Sequence, residues 1–75
     1  MHPFKKDCLA ALSAFIEDSC NENKMELIIA FDELESSVAE EILGQELYSE
    51  LSRIVIENDH PDDYLQILKL KYFSA

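Results

Sequence analysis

The sequence predicts an all-α fold: a single compact antiparallel bundle of about four helices, spanning residues 1–75 as one domain. Three observations predict it. Glycine occurs once and proline twice, so few positions interrupt regular structure. Apolar residues return at steps of three and four along four segments, the period of a helix with one buried face. No segment alternates apolar and polar residues between turn residues, as half-buried strands do. Hydrophobic residues make up 48% of the chain, well above the level of a disordered acidic tail.

The first helix is expected from Pro3 to Ser19. Phe4, Cys8, Leu12, Phe15 and Ile16 form its apolar stripe, extended by Leu9 and Cys20, and Pro3 suits a first helical turn. Asn21-Glu22-Asn23 ends it, and Asn23 with Glu26 matches a capping box for the next helix. That second helix is expected from Lys24 to Val38, with Leu27, Phe31, Leu34 and Val38 inward and Ile28 at the edge of that face. Ala39 to Gly44 reads as a connection, closed by the chain's only glycine, which can take backbone angles other residues avoid. The third helix is expected from Gln45 to Glu57 on Leu47, Leu51, Ile54 and Val55, with Tyr48 alongside. Asn58-Asp59-His60-Pro61 is a stop and restart. The last helix runs to Phe73, with Tyr64, Leu65, Leu68 and Tyr72 on one face. Asp62 and Asp63 at its start and Lys69 and Lys71 near its end match the helix dipole.

Cys8 and Cys20 fall twelve residues apart in the first expected helix. That spacing is about 18 Å at the helical rise, too far for a disulfide. Both are expected as reduced thiols of a cytoplasmic protein. No signal peptide and no apolar run of membrane-spanning length is visible.

Enzyme chemistry is not expected. His2 lies at the terminus and His60 in a loop, with no Cys–His spacing of a zinc site. The acids do not follow the order of a calcium loop, and one glycine cannot build a phosphate-binding loop. Neither a cofactor nor a metal is expected. An acyl-carrier-like protein, also small, acidic and helical, needs an acid, a serine and a hydrophobe at a helix start. Asp18-Ser19-Cys20 and Ser36-Ser37-Val38 are the nearest stretches, and neither fits.

Charge is the stronger signal. Between Glu26 and Asp63 stand twelve acids and one base, Arg53, a net 1 − 12 = −11 within a chain whose total is −10. Crowded like charge destabilises a compact state. Such a concentration therefore points to a basic protein partner, met through electrostatic attraction, and not to direct contact with nucleic acid, a membrane or a small molecule. Asp59, Asp62 and Asp63 have local roles in the loop and at the last helix start, and Glu57 stands apart beyond Arg53; the rest form the run from Glu26 to Glu50, eight acids with no base among them. Ile29 falls among these acids and not with the core, as an apolar anchor inside a charged rim would; Ile56 is a weaker analogue. The expected partner-binding residues are Glu26, Ile29, Asp32, Glu33, Ser36, Glu40, Glu41 and Glu46.

The stretch Glu26-Leu27-Ile28-Ile29-Ala30-Phe31-Asp32-Glu33-Leu34 resembles small bacterial immunity proteins of the MafI type and related helical immunity proteins of contact-dependent growth inhibition. Glu40-Glu41-Ile42, Glu46-Leu47-Tyr48 and Asp62-Asp63-Tyr64-Leu65 extend the similarity. The resemblance implies a cytoplasmic antitoxin that binds a basic toxin domain, often a nuclease, and blocks its active site. The alternative on charge alone is an acidic nucleic-acid mimic of phage type that inhibits a DNA- or RNA-binding protein.

Overall fold

Helices account for all the regular structure among the described residues, which in this computed structural model are residues 2–33 and 36–73, the side chain of Ser36 excepted. There are five: α1 (Pro3–Glu17), α2 (Asn21–Asp32), α3 (Ser36–Leu43), α4 (Gln45–Val55) and α5 (Asp62–Phe73). The expected second helix is two helices, and most of the expected connection from Ala39 to Gly44 is helical.

The break changes which residues face inward. A single helix through this region would bury Val38, yet Val38 is 40% exposed, while Ala39 and Leu43 are buried. Serines favour helix starts over helix interiors, and Ser36-Ser37 opens α3 in a new phase. Ala39, Leu43, Leu47 and Leu51 then form one buried row at steps of four across the joint at Gly44. Gly44 makes the joint with φ 87° and ψ 150°, a conformation open essentially to glycine alone. Leu34, expected in the core, lies outside the described residues.

Other boundaries shift for local reasons. α1 ends at Glu17 and α2 begins at Asn21, so Cys20 is the residue before α2 and not part of α1. The expected capping box at Asn23 does not form. Asn23 instead donates both amide protons backwards, to the carbonyls of Ala14 (3.2 Å) and Asp18 (2.8 Å), tying the end of α1 to the start of α2. α4 stops at Val55, and Asn58 takes the left-handed conformation (φ 55°) that commonly follows a helix end. Arg53 Nε then pairs with Asp59 across the turn (2.8 Å).

Antiparallel pairing follows from the contacts. Asn23 meets Ala14 while the Cys8 thiol points at the Ala30 carbonyl (3.5 Å), so α1 and α2 run oppositely. Arg53 stacks over the Tyr64 ring and Lys71 reaches Glu46 and Glu50, so α4 and α5 do too. α1 is the hub, touching α2, α3 and α5, and α2 crosses to α4 through Phe31 stacked on Tyr48. Leu12, Phe15, Leu27, Leu51, Ile54 and Leu68 fill the centre. The radius of gyration, 11.2 Å, is that of a compact chain of this length. Among the described residues no helix is long and apolar enough to cross a membrane.

Candidate partner-binding groove

Where α1 and α2 lie side by side, their outer faces leave a groove of about 410 Å³. Each wall is one helical stripe at positions i, i+3, i+4 and i+7, the spacing that stacks side chains along one face. From α1 come Asp7, Ala10, Ala11 and Ala14; from α2 come Glu26, Ile29, Ala30 and Glu33, with Asn23 at one end. The alanines make a shallow apolar floor. Ile29 is 52% exposed, as its place among acids predicts. Because the helices run oppositely, Asp7 and Glu33 share one end of the groove.

Cys8 reports that shared end. The thiol is fully buried, and its pKa is raised, first by that burial and then by the negative charges of Asp7 and Glu33. Among the described residues none of Asp7, Glu26 and Glu33 forms an ion pair. The groove therefore presents three uncompensated carboxylates around an apolar strip.

Three of the eight expected site residues, Glu26, Ile29 and Glu33, meet in this groove. Asp32 is exposed beside it but does not line it. Glu40 and Glu41 are exposed on α3, which packs on α1 and α4 and contributes to neither wall. The side chain of Ser36 lies outside the described residues. Glu46 lies outside the groove and has a partner within the fold. Lys71, distant in sequence, is folded onto it and onto Glu50 (3.0 Å to Glu50), and the Tyr72 hydroxyl also donates to Glu50 (2.5 Å). The hydrogen bonds that Lys71 donates to Glu46 and then to Glu50 raise its pKa, and burial followed by the hydrogen bond to Glu50 raises that of Tyr72. The run of acids without a base is thus interrupted in space, and Glu46 belongs to a structural seam.

Sequence reasoning misses Asp7 and the alanine row of α1. The signal is present: Asp7, Ala10, Ala11 and Ala14 share one helical face beside the expected core stripe. The first helix carries no concentration of acids, however, and so draws no attention on charge.

His60 is not simply solvated. Its ring meets Phe15 edge-on (5.2 Å), and Nε2 lies 3.1 Å from Asn58 Oδ1 and 3.4 Å from Lys24 Nζ. These contacts tie the loop before α5 to α1 and α2. Both cysteines are free thiols. Among the described residues no three His, Cys, Asp or Glu side chains gather as a group able to hold a metal ion.

The described architecture defines a small five-helix protein with an acidic surface groove. No protein-family model matches the chain, no curated protein matches it, and no solved structure matches its fold.

Proposed function

We propose that this chain is an immunity protein that binds a basic toxin domain of the nuclease class and occludes its nucleic-acid cleft. The observation that carries this reading is the α1/α2 groove: Asp7, Glu26 and Glu33 without counter-charges, around an apolar strip that includes Ile29. A nuclease holds its substrate in a cleft lined by Lys and Arg. An acidic face with an exposed apolar centre complements the charge of such a protein, and the apolar centre is desolvated on binding. The exposed Asp32, Glu40 and Glu41 widen the negative field and speed encounter by roughly 10–10³. The likeness of the Glu26–Leu34 stretch to immunity proteins supports the same reading from a separate starting point.

The test is co-purification with the product of the adjacent gene, followed by charge reversal. Lysine at Asp32, Glu33, Glu40 and Glu41 is expected to slow association with that toxin domain, with an effect that shrinks in high salt. Unchanged association in low salt contradicts the proposed face. An adjacent phage gene in place of a secreted effector favours the nucleic-acid-mimic reading instead.

A further inference from the structure

We infer that the α1/α2 groove receives about two turns of a basic amphipathic helix supplied by the partner. This deepens the reading above, on which it rests for the partner's identity.

The walls dictate the form of the occupant. Both are helices, whose backbone groups are spent on their own hydrogen bonds. Asn23 is the one lining side chain with N–H groups, and both of its amide protons are already given to Ala14 and Asp18. An extended segment laid on the alanine floor would leave its own carbonyls facing methyl groups with no donor to meet them. A helix carries its backbone hydrogen bonds with it and has no such need.

The dimensions agree. Alanine at positions 10, 11, 14 and 30 removes side-chain bulk from the floor, so a third helix can approach to the close end of the usual 8–10 Å range. From Asp7 to Ala14 a wall runs about 10 Å, or two helical turns. Charge then sets the sequence of the occupant. Asp7 and Glu33 stand at one end, and Glu26 lies two turns from Glu33 along α2. The docking helix therefore carries Lys or Arg on both flanks of a narrow apolar stripe, with one apolar side chain against Ile29.

The test uses the intact chain, isotope-labelled, and a synthetic helical peptide with a leucine–alanine stripe flanked by lysines. The control peptide has the same composition with its lysines spread around the helix. The inference expects the striped peptide to bind about tenfold tighter than the control. Amide shifts are expected to be confined to residues 7–14 and 23–33. Ala10→Phe, at an exposed position, fills the groove and is expected to weaken binding about tenfold with helicity unchanged. Equal binding of the two peptides, shifts centred on α4 and α5, or no binding overturns the inference. If the peptide fails and the adjacent gene product still co-purifies, the helix inference falls and the immunity reading stands. Groove binding of the peptide without any toxin partner gives the reverse.

Discussion

At the seam between α4 and α5, Glu46 and Glu50 face Lys71 and the Tyr72 hydroxyl; at the groove between α1 and α2, Asp7, Glu26 and Glu33 border a strip of alanines with no cation paired to them among the described residues. Glu26 and Glu33 belong to the same acidic run in sequence as Glu46 and Glu50. In the seam the carboxylates pair with Lys71 and Tyr72 and bridge two helices. In the groove they repel, contribute nothing evident to the fold, and remain available. Acidic residues therefore have to be sorted by what the fold places opposite them, and the availability of a counter-charge separates structure from recognition.

The largest effect comes from removing what both regions share. Leu27 is fully buried in the core cluster, which also takes in Leu12 and Phe15 of α1, Leu51 and Ile54 of α4 and Leu68 of α5. Leu27→Ala is expected to cost about 2–5 kcal/mol. That is a large part of the roughly 4–11 kcal/mol available to a chain of this size, and denaturant titration reads it. Gly44→Ala strikes the joint between α3 and α4 through its geometry. No atom crowds the added methyl, so the cost is that of the φ 87° backbone alone, about 1–3 kcal/mol. A crowding effect at Gly44 is ruled in only if Gly44→Ala costs far more than this.

Tyr72→Phe removes the hydroxyl that donates to Glu50 and is expected to cost about 1 kcal/mol, lowering Tm by about 4–8 °C. The same contact sets a pH dependence. Both Tyr72 and Lys71 have raised pKa values in the fold, so the fold holds their protonated forms. Their contribution is complete below the ordinary tyrosine and lysine values and is lost as pH climbs above about 10. The alkaline fall in stability is expected to be shallower in Tyr72→Phe. The smallest effect belongs to the groove. Glu26→Gln with Glu33→Gln relieves repulsion at an exposed surface and is expected to change stability by no more than about 0.5 kcal/mol. A loss of several kcal/mol would make the groove acids structural and erase the contrast.

Much of the fold was legible because helical periodicity is local. The stripes of α1, α4 and α5 and the exposure of Ile29 and Ile56 are as the spacing predicts. The α2/α3 break was not legible from periodicity, since Leu34 and Val38 continue the pattern of Leu27 and Phe31; Ser36-Ser37 was the better signal. The site was half legible for the same reason. Glu26, Ile29 and Glu33 share a face of one helix, and sequence spacing finds them. Asp7 joins them, and Lys71 removes Glu46, only through tertiary pairing, which no local pattern encodes.

On this account the groove acids, and not the seam acids, recognise a basic partner. The direct measurement is the affinity of the proposed partner, a toxin domain sought in the adjacent gene, for three forms of the chain at low salt: unaltered, Glu26→Lys with Glu33→Lys, and Glu46→Gln. The groove reversal is predicted to weaken binding by about a hundredfold or more, the scale of a lost desolvated charge pair at an interface, while Glu46→Gln stays within about twofold of the unaltered chain. Equal binding by all three, or a larger loss from Glu46→Gln than from the groove reversal, contradicts it.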